Sequence, residues 1–169
     1  MKKLLCALCA ILILIPSVCF SAASSLVCTQ TGGDSFNTMQ LSCVWTAHSS
    51  AASFETVPLC VGTCTVNSTP IDFTGWGLAQ VISDIGGTGP TDNSDLYLLE
   101  GSSSGRDVLG GVGLNFIDNA DATPLANVQP WIGSEPKNFV LLFGPLYMQL
   151  SGNAVNSATG TLVFKFFKI

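Results

Sequence analysis

Near the middle of the chain, two apolar runs, residues 96–99 and 108–114, flank the small-residue stretch Gly101-Ser102-Ser103-Ser104-Gly105. Short apolar runs joined by a Gly/Ser loop predict a β-hairpin, here over residues 95–113. Upstream, Leu41, Cys43, Trp45 and Ala47 alternate with Ser42, Val44, Thr46 and His48. That period of two predicts a half-buried strand, because successive side chains of a strand point to opposite faces. The chain turns at residues 49–52 and continues as the run 54–59, which predicts a hairpin between these two segments. Residues 71–85 read two ways. Leu78, Val81, Ile82 and Ile85 have helical spacing, but Gly75 and Gly77 flank Trp76 and the Val/Ile content favours a strand. A strand is the expectation.

Residues 118–138 carry Pro124, Pro130 and Pro136 and read as an irregular excursion, with Trp131 plugging an edge of the core. After an apolar strand at 139–143 and a break at Gly144-Pro145, Leu146, Met148 and Leu150 alternate with Tyr147 and Gln149. Further on, Leu162, Phe164 and Phe166 share one face and Lys165 lies on the other. Small residues join these last two runs, which predicts a C-terminal hairpin. Roughly six to nine strands with short turns predict an all-β fold, an antiparallel β-sandwich or jelly-roll-like single domain.

The first 23 residues read as a secretory signal peptide, leaving residues 24–169 as that domain. Lys2 and Lys3 precede an apolar run that ends at Pro16, and Ser21, Ala22 and Ala23 satisfy the small-residue cleavage rule. The run of about a dozen residues is too short to cross about 30 Å of hydrocarbon as a helix. The mature chain is therefore expected to be secreted or extracytoplasmic, without a membrane span. It retains four basic residues, Arg106, Lys137, Lys165 and Lys168, against eleven acidic ones, a net charge of −7. With no Lys/Arg cluster to collect phosphates, nucleic acid is not an expected partner. Charged residues are only 10% of the chain, so much of the surface consists of small polar and apolar groups. Such a surface favours contact with a partner.

Cys28, Cys43, Cys60 and Cys64 remain after the leader. An even count in an exported chain predicts two disulfides. Local closure favours Cys28–Cys43 and Cys60–Cys64 among the three connectivities. Zinc competes weakly, since only Cys60 and Cys64 have the spacing of a zinc knuckle.

Catalytic signals are sparse. Gly101-Ser102-Ser103-Ser104-Gly105 matches the nucleophile pattern Gly-x-Ser-x-Gly, but that motif needs a helix after the serine and none is predicted. His48 is the only histidine, so any Ser-His-Asp or histidine–metal site would have to use it. Glu55, Glu100 and Glu135 have no spacing that marks a carboxylate pair. Asp92, Asp95, Asp118 and Asp121 lie in oxygen-rich loops and are weak calcium candidates that match no EF-hand. Trp76, Trp131 and Tyr147 are candidates for stacking on sugar rings. Asn67-Ser68-Thr69 matches a glycosylation sequon, with Pro70 following. No catalytic residue, resident metal or cofactor is expected.

Two segments carry a resemblance. Pro90-Thr91-Asp92-Asn93-Ser94-Asp95-Leu96-Tyr97-Leu98-Leu99, with Gly105-Arg106-Asp107-Val108-Leu109-Gly110-Gly111, resembles a pattern of small structural proteins of tailed bacteriophages. Residues 144–164, with their Gly-Pro-Leu strand and Thr-Gly-Thr-Leu-Val-Phe strand, resemble the ends of the same proteins. The resemblance covers about residues 75–169. It implies a β-sandwich packed on a virion, without enzymatic activity, that assembles with itself or with other structural subunits. The leader and the cysteine-bearing region before Gly75 depart from that pattern. An exported adhesin or carbohydrate-binding module, with a glycan as partner, is the alternative; a secreted hydrolase is the third.

Overall fold

The computed structural model describes residues 23–32, 37–117 and 139–169, and the backbone of three short strands between the last two stretches. The leader expected at residues 1–23 therefore lies outside the described residues except at Ala23. Thirteen strands are described: β1 Ser25–Gly32, β2 Thr38–Thr46, β3 Val57–Pro58, β4 Gly62–Cys64, β5 Trp76–Ile85, β6 Asp95–Glu100 and β7 Arg106–Asp107. They continue with β8 Ala126–Val128, β9 Trp131–Ile132, β10 Glu135–Pro136, β11 Val140–Leu141, β12 Leu146–Ser151 and β13 Thr159–Lys168. Every pairing is antiparallel, and no helix occurs among the described residues. The fold is all-β, as the alternation predicted. None of the described residues forms a helix long and apolar enough to cross a membrane.

The larger sheet runs β11-β5-β13-β2-β1-β4, with β8 also on β5, and the smaller runs β3-β12-β6-β7. Strands β9 and β10 pair with each other. On β2, Met39, Leu41, Cys43 and Trp45 point inward and their neighbours outward. Leu162, Phe164 and Phe166 of β13 and Leu78 and Val81 of β5 join them. The smaller sheet contributes Leu96 and Leu98 of β6 and Leu146, Met148 and Leu150 of β12 to the same buried cluster. Both sheets thus present their apolar sides to one core, and burial of those sides is the main stabilising force. Two ring contacts tie loops to it. Phe73 stacks on Phe166 at 4.5 Å between centroids, and Phe54 meets Trp45 edge-on at 6.3 Å.

Three pairings differ from expectation. The run 54–59 does not return along β2. Strand β2 has both edges occupied, by β1 and β13, and residues 57–58 cross to the smaller sheet beside β12. Pro58 has no N–H to donate, which keeps β3 to two residues at the sheet's edge. Strands β12 and β13 do not pair either. They lie in different sheets, so Met148 and Phe164 join one buried cluster from two sheets rather than from one. Finally, the second central run, 108–114, forms no strand; the strand opposite Glu100 and Leu99 is only Arg106 and Asp107, just before it. Beyond them the Asp107 carboxylate accepts N–H groups from Leu98, Leu109 and Gly111 at 3.1–3.2 Å and rolls residues 108–115 into turns. A side chain at Gly113 would collide with the Leu96 carbonyl, so this close approach admits only glycine.

Asn153 anchors the link between β12 and β13. Its Nδ2 donates to Ala52 O at 2.7 Å and Val155 O at 3.0 Å. Its Oδ1 accepts from Thr91 N at 3.1 Å and Val155 N at 3.0 Å. Three loops converge on one half-buried amide. Asn153→Ala is expected to cost about 1–2 kcal/mol, because it leaves several polar backbone groups short of partners. A urea midpoint lowered at unchanged m-value checks this.

Candidate interaction face

The outer side of the larger sheet is assembled by register. Three rows of side chains cross it: Val27–Val44–Thr161–Asp84, Thr29–Ser42–Val163–Ile82 and Thr31–Gln40–Lys165–Gln80. Each strand's inward residues alternate with these, so burying one face exposes the other. Val27 is 44% exposed and Val44, its cross-strand neighbour, 50%. Only Lys165 and Asp84, both exposed, are charged among the twelve. The face is a lightly polar surface of β-branched and hydroxyl side chains.

At the Lys165 end the face deepens into a groove of about 510 Å³. A register shift between Lys165 and Phe166 leaves one extra residue, Ala79, on β5. Such a bulge bends the strand locally. Thr31, Thr38, Gln40, Ala79, Lys165 and Phe167 line the groove. Phe167 is held over Gly77, where an added Cβ would fall 2.7 Å from its ring, and its ring meets Phe139 edge-on at 4.8 Å. One wall is therefore aromatic, and the others offer hydroxyl, amide and ammonium donors.

The residues singled out from the sequence fall elsewhere. Cys28–Cys43 and Cys60–Cys64 are disulfides, as expected. The first joins directly opposed residues of β1 and β2, and the second closes the loop before and through β4. Trp76 is buried, with Lys168 Nζ 5.7 Å from its ring centroid, so it offers no open face for a sugar. Tyr147 is half-buried on the smaller sheet, opposite Leu99 and Pro58. Trp131 lies in β9, whose side chains are outside the described residues, as are Asp118, Asp121 and the Glu135 side chain. Trp76 and Tyr147 are thus not brought together, and the aromatic residues lining the groove are Phe166 and Phe167. The alternation placed Lys165 on the outer side, but nothing local told that a bulge would hollow the sheet beside it.

The ionisable groups near the loops hold backbone. Asp95 Oδ1 accepts Asn115 N at 2.9 Å, and its Oδ2 accepts Ser151 Oγ at 3.3 Å and Tyr97 OH at 3.4 Å. Its lone pairs already face donors, which is unfavourable for a cation. Asp92 is exposed, and no group of three metal-ligating side chains occurs among the described residues. Glu100 Oε1 accepts Phe143 N at 2.7 Å while its Oε2 pairs with Arg106 at 2.8 Å. His48 Nδ1 accepts Ser50 N and Ala51 N, both at 3.2 Å, and so closes its own turn. Ser103 is exposed in the turn between β6 and β7, with no helix following it.

The Asp72 carboxyl has a displaced titration. The Thr74 hydroxyl at 2.7 Å and Thr74 N–H at 2.9 Å hold it below its ordinary value, against a smaller opposing effect of desolvation. Its folded value is depressed, so its contribution to stability is complete above the ordinary carboxylate range. That contribution is lost as pH falls through the depressed value. In Thr74→Val the Asp72 titration, followed by carboxyl NMR, is expected to return toward the ordinary value.

No protein-family model matches the chain, and neither a curated protein nor a solved structure matches it.

Proposed function

We propose that the chain is a non-enzymatic, exported structural protein, a β-sandwich of the kind that packs on phage virions and assembles with itself or a neighbouring subunit. The observation that carries this reading is a division of labour among side chains. The described carboxylates Asp72, Asp95, Glu100 and Asp107 and the imidazole of His48 accept hydrogen bonds that hold turns. The broad outer face, by contrast, has two charges among twelve side chains and carries exposed valines. A surface of that composition acts by contact. The resemblance over residues 75–169 supports the virion setting, and two disulfides fit an extracytoplasmic one. Density-gradient fractionation of the source culture tests the reading. The protein is expected in a sedimenting particle or assembly, and recovery solely as a free chain without partners would overturn it.

The groove favours a second reading, a carbohydrate-binding module. An aromatic wall at Phe167 beside the hydroxyls of Thr31 and Thr38 and the amide of Gln40 matches the amphipathic faces of a sugar. A glycan array read with the wild type and Phe167→Ala separates the two. Signal lost in Phe167→Ala supports the binding module, and a blank array removes it.

A further inference from the structure

We propose that the outer face of the larger sheet receives a second copy of this chain across a two-fold axis lying in the interface. This rests on the contact-protein reading and adds to it a surface and a partner. The face is self-complementary in charge. Asp84 stands opposite Thr161 on β13, four residues along from Lys165. Four residues of strand are about 13 Å, and one strand spacing adds about 4.8 Å across. The two charges are therefore too far apart to pair within one copy. Neither belongs to the one ion pair found among the described residues. An in-plane two-fold axis that passes midway between them, perpendicular to the line joining them, exchanges their positions. Lys165 of each copy then meets Asp84 of the other, and one contact geometry forms two ion pairs.

What lies between the charges fits the same arrangement. The axis passes near Val163 and Ile82, so the central row of uncharged side chains meets its own image. Elsewhere the chain is acidic, at net −7 after the leader, and two copies repel. On this face the formal charges cancel. The groove beside Lys165 is where Asp84 of the second copy arrives, amid the donors of Gln40 and Thr38. Four strands about 4.8 Å apart and roughly eight residues long give on the order of 500 Å² of flat area per copy. Two such faces just reach the roughly 1,000 Å² that a specific interface needs, so the dimer depends on concentration.

Sedimentation velocity of the disulfide-intact protein, across the widest concentration range its solubility allows, tests this. A monomer–dimer equilibrium is expected. Lys165→Asp and Asp84→Lys are each expected to weaken it about ten-fold or more, and the combined variant to return within about three-fold of wild type. Val44→Asp, which places a charge in the apolar part of the face, is expected to abolish dimerisation. Near-UV circular dichroism shows whether each variant keeps its fold. A dimer that ignores both charge swaps, or a combined variant as weak as either single one, overturns the proposal. A chain that is monomeric at every concentration but still sediments with a particle overturns this face and leaves the contact-protein reading in place. A monomer found free in its source as well overturns both.

Discussion

Phe166→Ala is expected to destabilise the fold by about 3–5 kcal/mol, the usual cost of truncating a fully packed phenylalanine. Phe166 is 2% exposed and sits in β13, the strand that joins β2 and β5 in the middle of the larger sheet. Its ring stacks on Phe73 at 4.5 Å and lies 6.5 Å from Phe164. Truncation therefore removes the surface against which residues 71–75 dock before β5 begins. Neighbouring side chains cannot collapse into the space without shifting a central strand, so most of the cavity persists. Thermal unfolding is the measurement, and a melting point lowered on the order of 10 °C is the expected outcome. A change of only a degree or two would mean that the loop at Phe73 closes over the gap and that the core is less rigidly layered than described.

Removing the Cys28–Cys43 disulfide, as Cys28→Ala with Cys43→Ala, is the second large expected effect. The bridge closes a loop with a sequence separation of 15. Loop-closure entropy then assigns it about 3 kcal/mol, compared with about 2 kcal/mol for the shorter Cys60–Cys64 loop. Both cysteines of the first bridge are buried, so losing two sulfur atoms also leaves a small void beside Leu162, the neighbour of Cys43 on β13. The double variants at the two bridges, compared by guanidinium unfolding, are expected to rank with Cys28/Cys43 as the more damaging. Equal losses would show that native packing, rather than the freedom of the unfolded chain, sets the cost. For a fold of ordinary marginal stability, either loss is a large share of the total.

Gly160 lies opposite Trp45, and an added Cβ would fall 2.8–3.0 Å from the indole. The glycine lets the ring cover the strand at close range, which explains a glycine inside a strand that its flanking threonines would otherwise strengthen.

How much of this was legible beforehand depends on the range of the interaction. Strand β2 could be read from Leu41, Cys43, Trp45 and Ala47 because the period of two is written in neighbouring residues. Strand β5 could be read despite its helical spacing, since the Val and Ile side chains and flanking glycines favour extended backbone. The two disulfides followed from cysteine count and local closure. Strand partnership is different, because it is a contest among segments far apart in the chain. Residues 54–59 and strands β12 and β13 each follow a turn that would suit a hairpin. Each instead pairs in a different sheet from the segment before it, because both sheets bury their apolar sides in one core. Residues 108–114 are apolar enough for a strand, yet the Asp107 carboxylate captures three nearby N–H groups and turns the chain. The meeting of Lys165 and Asp84 on one face, and the groove opened by the extra residue at Ala79, exist only once β13 has settled between β2 and β5. Local alternation determined which residues face inward; tertiary competition for strand edges decided which outward residues share a surface.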